Sequence, residues 1–248
     1  MTKPHIVLVP GAAHTPACMV PLMEKLQALG YTTHCQQMAS VGNPNPPSDL
    51  SEDIGVLRRT VEEAIGKGND VIVAPHSWGG VVTGTGLKGL SKEEREAQGL
   101  KGGVVRIAFM ASFVLPEGRT LMSTAHKSPS PTFVPDGPNA TCTTPELFYN
   151  DLSDEEQKHW AAGLKSQGIA SFTTPTTYAA WKHIPSSYLL CQDDLALPPA
   201  AQEGMVKAAE EAGAIMHVTR IKSGHSPFLS KVVETAEWIQ RVAEETLV

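Results

Sequence analysis

The feature that most limits what this chain can fold into is a set of short apolar, β-branched runs separated by stretches with helical spacing. The runs are Ile6 to Val9, Val71 to Val73, Val104 to Phe109, Tyr188 to Cys191 and Ile215 to Ile221, with a weaker one at Tyr31 to Met38. They are unbroken rather than alternating, as strands covered on both faces of a parallel sheet must be. Between them, apolar residues recur at three- and four-residue steps: Met19, Leu22, Met23, Leu26 and Leu29; Ile54, Leu57, Val61, Ala64 and Ile65; Leu229, Val232, Val233, Ala236 and Ile239. Ser51 with Asp53 and Ser153 with Glu156 supply helix starts, and Gly30, Gly66 and Gly213 supply stops. Strand and helix in alternation predict an α/β fold with a mostly parallel sheet flanked by helices.

One interval breaks the rhythm. From Phe113 to His183 the chain carries Pro-rich turns ("KSPSPTFVPDGP"), an acidic helix start ("DLSDEEQKHW") and aromatic residues, but no strong strand. Inserted between two core strands, it predicts a helical cap over residues 113–183 on a core formed by 1–112 and 184–248. The Pro-rich "GNPNPPSD" (42–49) reads as a surface loop.

Bulk properties exclude several classes. With 20 basic against 26 acidic side chains and a net charge of -6, the chain lacks the positive field that nucleic-acid binding needs. The first apolar run is too short for a signal-peptide core or a membrane span, which predicts a cytoplasmic protein without a membrane partner. Cys18, Cys35, Cys142 and Cys191 are scattered, with no C-x-x-C pair, so neither a zinc site nor a disulfide framework is indicated. Asn139-Ala140-Thr141 matches a glycosylation sequon but reads as a polar loop.

In an open parallel sheet, ligands bind at the carboxyl ends of the strands. Ser77 follows the run "DVIVAP" one residue on and precedes "GGVVTGTGL", which opens a helix. This strand-serine-helix context is that of a nucleophile elbow, although the usual first glycine of G-x-S-x-G is here Pro75. A serine hydroxyl is a poor nucleophile until a base takes its proton and a third group orients that base. Asp193 and Asp194 follow the strand "YLLC", and His225 lies in "KSGHSPF" after "IMHVTRI". Serine, acid and histidine thus stand at strand ends in the order that such triads require. Asp194 is preferred, because its distance to Pro198 fits a tight turn aimed at the histidine loop; Asp193 remains the alternative. Two backbone N–H groups are expected to receive an oxyanion: that of Trp78, and that of Ala12 in the loop "VPGAAHTP". His14 has two readings there, as part of the entrance wall or as a solvated loop residue.

The segments "VLVPGAAH", "PHSWGG", "CQDDLALPP" and "SGHSPFLS" together resemble the α/β-hydrolase superfamily, and within it the methylesterase and hydroxynitrile-lyase-like branch with its bacterial and fungal relatives. The resemblance spans nearly the whole chain. It implies Ser77, Asp194 and His225 as a triad, Ala12 and Trp78 as oxyanion donors, a helical cap, and no cofactor. Two positions depart from the pattern. Pro10 stands where the family usually carries a histidine before the glycine, and Ser226 stands where the cyanogenic lyases carry a lysine that would stabilise departing cyanide.

The function expected from these residues is a cofactor-independent serine hydrolase that cleaves a small, mainly apolar ester or lactone through an acyl-enzyme on Ser77. Alternatives are a lyase, cyclase or C–C bond hydrolase of the same fold with His225 as base, and a receptor-like binding protein. Among the aromatic residues Phe133, Phe148, Tyr149, Trp160, Phe172, Tyr178 and Trp181 of the inserted interval, Phe133, Trp160, Tyr178 and Trp181 are the candidates for the pocket wall. Gly84-Thr85-Gly86-Leu87-Lys88-Gly89 matches a dinucleotide fingerprint but lies too far past the strand, and close helix packing explains it better. Glu155, Glu156 and His159 share helical spacing but read as a solvated face, not a metal site.

Overall fold

The computed structural model describes residues 2–125 and 133–246, apart from the side chain of Ala125. The turns expected at Pro129 and Pro131 lie outside the described residues. Strand β1 (His5–Val9) leads through a 3-10 turn to helix α1 (Val20–Ala28), followed by β2 (Thr33–Cys35), α2 (Ser51–Ile65), β3 (Asp70–Pro75), α3 (Gly79–Gly86), α4 (Lys92–Glu96) and β4 (Gly103–Met110). The excursion that follows contains α5 (Leu121–Ala125), β5 (Phe133–Asp136), β6 (Asn139–Cys142), α6 (Asp154–Gly163), β7 (Gln167–Gly168) and α7 (Ala170–Thr173). The chain then resumes with β8 (Ser186–Cys191), α8 (Pro199–Glu211), β9 (Met216–Ile221), α9 (Pro227–Ser230) and α10 (Val232–Glu245).

Among the described residues, six strands pair in the order β2-β1-β3-β4-β8-β9, and every pairing is parallel. Side chains of successive residues point to opposite faces, so each inner strand feeds two cores. Val7, Val9, Val71, Val73 and Ile107 join the core beneath α2 and α3, whereas Ile6, Leu8, Ile72, Ala74 and Ala108 join the one beneath α1 and α10. Helix α10 buries Ala236, Ile239 and Ala243, which recur at three- and four-residue steps as amphipathic packing requires. Burial on both faces explains the unbroken apolar runs. The edge strand β9 differs: His217 and Arg220 are exposed because only one side is paired.

Several local expectations are corrected. The inserted interval is not purely helical, since β5, β6 and β7 form a three-stranded antiparallel sheet. These strands are two to four residues long and include Pro135, so they carry no alternation to detect. The Asn139-Ala140-Thr141 sequon accordingly sits on β6 rather than in a loop. Ser51 and Asp53 do not cap α2. Asp53 is buried, and its carboxylate accepts the Ser40 N–H at 2.9 Å. Ser153 and Glu156 do form a full capping box on α6. Gly84 and Gly86 lie inside α3, where a Cβ on Gly86 would come within 2.8 Å of Leu57 on α2, so this glycine serves helix packing.

Strand order reverses between β1 and β3, and the loops leaving their carboxyl ends carry Ala12 and Ser77. Ala111 (φ 41°) turns the chain sharply after β4, and Phe113 and Ser112 close over the start of α3. Gly80 is compulsory there, because a Cβ would overlap the Phe113 carbonyl oxygen. Gly80→Ala is expected to destabilise the protein by more than about 4 kcal/mol. In the same helix Gly84→Ala, whose Cβ would find its nearest neighbour at 3.7 Å, should be tolerated; denaturant unfolding of the pair checks the contrast.

Candidate active site

Ser77 sits between β3 and α3 with φ at 50°, a left-handed conformation that costs a residue with a side chain roughly 1–3 kcal/mol. Neighbouring backbone holds it there. The Ser77 N–H donates to the Met110 carbonyl at 3.3 Å, and the Ser77 carbonyl accepts from the Phe113 N–H at 3.1 Å and the Ser112 hydroxyl at 2.8 Å. Gly79 lets the turn approach β1, since a Cβ would come within 2.7 Å of the Val9 carbonyl oxygen. Pro75 ends β3, and the bond onward to β1 is donated by His76, whose N–H reaches the Val9 carbonyl at 2.9 Å. A proline at that position therefore fits the elbow.

The two neighbouring aspartates are separated clearly. Asp194 is 2% exposed, and its Oδ2 lies 2.8 Å from His225 Nδ1. Its Oδ1 accepts the N–H groups of Ala196 and Leu197, both at 2.8 Å, and Gln202 Nε2 donates to Oδ2 at 3.1 Å. Asp193 is exposed. A carboxylate on Nδ1 leaves the other ring nitrogen, Nε2, as the basic one. His225 Nε2 is buried without a hydrogen-bond partner among the described residues, and His225 and Ser77 line the same cavity.

That cavity has a volume of about 200 Å³ and opens to solvent at its mouth. Its described wall is mostly apolar: Phe113, Leu121, Met122, Phe133, Phe148, Phe172, Ala196 and Leu197, with Ala12 and Trp78 beside Ser77. Among the described residues, the N–H groups of Ala12 and Trp78 have no protein acceptor. Of the residues expected to line the pocket, only Phe133 does so. Trp160 packs with Phe148 and Tyr149 behind the wall, Tyr178 stacks on His183 and donates to Glu94, and the Trp181 indole donates to the Leu115 carbonyl at 3.0 Å. All three are taken up by packing within the excursion or against the core. Glu156 is engaged with Ser153, and His159 lies edge-on to Trp160.

His14 is neither solvated nor part of the wall. It is 3% exposed; its Nδ1–H donates to the Ala12 carbonyl at 2.7 Å, and its Nε2 accepts the Tyr149 hydroxyl at 2.9 Å. Burial lowers its pKa to about 4, so the ring is neutral near pH 7. His76, which the sequence reading passed over, is fully buried and donates through Nε2 to the His225 carbonyl at 2.9 Å. Burial, reinforced by His225 and His14, holds its pKa well below the usual histidine value. Four consecutive residues of the excursion clasp the site. Phe148 stacks on His225 at 5.5 Å, Tyr149 holds His14, Asn150 donates to the Asp193 carbonyl at 2.9 Å, and Asp151 accepts the Gly224 N–H at 2.7 Å.

The low pKa of His14 has a measurable sign. The unfolded chain binds a proton near pH 6.5, whereas the folded chain resists it until about pH 4. The contribution is therefore present above pH 6.5 and is lost as pH falls toward 4, at about 3 kcal/mol in full. Stability should fall over that window, and His14→Gln, which can make both hydrogen bonds, should flatten the slope; urea unfolding at several pH values checks this.

Comparison with known proteins agrees with the geometry. The family model described as alpha/beta hydrolase matches residues 6–238. The chain belongs to the α/β-hydrolase family. This hydrolase is 29% identical over 254 residues to the alpha/beta hydrolase nvfD of Aspergillus novofumigatus, covering 100% of this chain and 99% of that one. In fold it is similar to a pyrethroid hydrolase from Sphingobium faniae (TM-score 0.75, 20% identity, 98% of both chains covered). It is likewise similar to the methylesterase MES16 from Arabidopsis (TM-score 0.72, 17% identity, 97% of this chain and 99% of that one). Among the described residues of the hydrolase, no helix is long and apolar enough to cross a membrane.

Proposed function

We propose that this hydrolase cleaves a carboxylic ester or lactone of a small, mainly apolar substrate, through an acyl-enzyme on Ser77. The observation that carries the reading is the buried pair of His225 and Asp194, with Nε2 of His225 unpartnered in the same apolar cavity as Ser77. In the first step His225 Nε2 takes the Ser77 hydroxyl proton as Oγ attacks the ester carbonyl carbon. The negative charge that develops on the carbonyl oxygen is received by the N–H groups of Ala12 and Trp78. Collapse of this intermediate breaks the carbon–oxygen bond, and the imidazolium returns its proton to the departing alkoxide. Water activated by the same nitrogen then attacks the acyl carbon, releasing the acid and restoring the Ser77 hydroxyl.

Asp194 contributes by fixing Nδ1 as the protonated nitrogen and by stabilising the imidazolium. Its own position is set by the two N–H donors and by Gln202. The apolar wall favours substrates with hydrophobic acyl or alcohol groups, which is compatible with similarity to proteins named as a pyrethroid hydrolase and a methylesterase. We further propose that residues 113–183 act as the cap, because Phe133, Phe148 and Phe172 from that interval supply much of the wall.

The unpartnered Nε2 supports a second reading, in which His225 removes a proton from the substrate directly and Ser77 only hydrogen-bonds to it. Turnover of short-chain p-nitrophenyl esters, methyl esters of aromatic acids and lactones, measured for wild type, Ser77→Ala and His225→Ala, separates the two. Loss of ester or lactone hydrolysis in both variants supports the acyl-enzyme. Partial turnover in Ser77→Ala with none in His225→Ala supports the second reading.

A further inference from the structure

Resting on the proposed oxyanion role of Ala12 and Trp78, we propose that Gln167 is a positioning residue that aligns both donor peptides from outside the cavity. Gln167 lies on β7, outside the cavity wall, and is fully buried. Its Oε1 accepts the Ala13 N–H at 2.9 Å. Its Nε2 donates to Ser40 Oγ at 2.7 Å and to Ser171 Oγ at 2.8 Å. The amide orientation follows from these partners, because the Ala13 N–H can only be met by the oxygen and the Ser171 hydroxyl is already donating to the Gly168 carbonyl at 2.7 Å.

Ala13 needs such a hold. With φ at 63° it is a left-handed residue with a side chain, in a loop that would relax without external restraint. The peptide joining Ala12 to Ala13 is gripped at both ends: Gln167 accepts its N–H, and His14 donates to its carbonyl oxygen at 2.7 Å. The Ala13 carbonyl in turn accepts the Lys165 N–H at 2.9 Å. Locking this peptide plane leaves the preceding N–H, that of Ala12, little freedom to turn away. Trp78 connects to the same hub from the other side, since its indole donates to the Ser171 carbonyl at 3.3 Å and Ser171 is a direct partner of Gln167. One buried amide therefore links the two loops whose N–H groups would have to converge on a single oxygen atom.

A buried amide could serve packing alone, so the test separates alignment from stability. Gln167→Met keeps length and volume but removes every side-chain hydrogen bond. With a p-nitrophenyl ester that the wild type turns over, kcat should fall by about 10- to 100-fold while KM stays within about twofold, because oxyanion donors act mainly in the transition state. Affinity for benzeneboronic acid, which forms a tetrahedral adduct with a nucleophilic serine, should weaken by a similar factor. Gln167→Glu, which retains an acceptor for the Ala13 N–H, should recover part of kcat. If Gln167→Met does not fold, Ser171→Ala removes one arm of the hub and should show the same split with a smaller loss, roughly 3- to 10-fold. Unchanged kcat in folded Gln167→Met or Ser171→Ala, or equal changes in boronate affinity and KM, overturns the inference and leaves the Ser77 mechanism standing. Retained turnover in Ser77→Ala removes the mechanism itself, so the two failures are distinguishable.

Discussion

Ser77→Ala is expected to reduce ester turnover by a factor on the order of 10⁶ in kcat, the loss typical when a serine nucleophile is removed from a working triad. The residual rate would come from the cavity and the N–H groups of Ala12 and Trp78, which can still bind and polarise a carbonyl. Structural cost should be small, because Ala tolerates the elbow much as Ser does, and the bonds holding the turn run through the Ser77 backbone and the Ser112 hydroxyl. Unfolding measured alongside kinetics should show the wild-type midpoint within a few degrees. A loss of activity accompanied by a collapse of the midpoint would report damage to the elbow rather than removal of the nucleophile.

The second large effect distinguishes two adjacent carboxylates. Asp194→Asn should lower kcat by about 10⁴-fold, because an amide facing His225 Nδ1 favours the tautomer in which Nε2 carries the proton and cannot accept another. Asp193→Asn should leave kcat within about threefold, since that side chain is exposed and the residue is held through its backbone, its carbonyl accepting from Asn150 and its N–H donating to the Ser223 carbonyl. Comparable losses in both variants, or the larger loss in Asp193→Asn, would contradict the assignment. Rates across pH add a readout: Asp194→Asn should regain activity only where hydroxide in solution can replace the missing base.

How far the sequence discloses these features depends on the range of the physics behind each. Parallel strands buried on both faces leave unbroken apolar runs, so the inner strands β1, β3, β4 and β8 are visible from periodicity, whereas the edge strands β2 and β9, with no fully buried residue, show less of it. Ser77, Asp194 and His225 are visible because each lies within four residues of the end of one of those runs, and their order restricts the chemistry. Pro75 does not obscure the elbow, since the strand before it and Gly79 after it meet the geometric need. The small sheet of β5, β6 and β7 is not visible, because strands of two to four residues are specified by their pairing partners and carry no period. The same holds for aromatic residues of the excursion. Phe133 and Trp160 look equivalent in a sequence, and only tertiary packing sends one to the cavity and the other behind it.

Residues that support the site leave the weakest trace in the sequence. His76, Tyr149, Asn150, Asp151 and Gln167 act on partners far away in the chain, and Gln167 reaches Ala13 across 154 positions. No local pattern encodes such a bond. His14 shows the related difficulty that one loop histidine can be solvated, lining or buried, and the choice depends on Tyr149, supplied 135 positions later.

The central claim is that Ser77 becomes covalently modified in the course of turnover, and labelling with a fluorophosphonate tests it most directly. Intact-mass analysis of the wild-type protein should show a single phosphonate adduct, mapped by peptide sequencing to Ser77, with ester turnover lost in step with labelling. Ser77→Ala and His225→Ala should label slowly or not at all. An unlabelled wild type that still hydrolyses esters, or full labelling at a residue other than Ser77, would contradict the account.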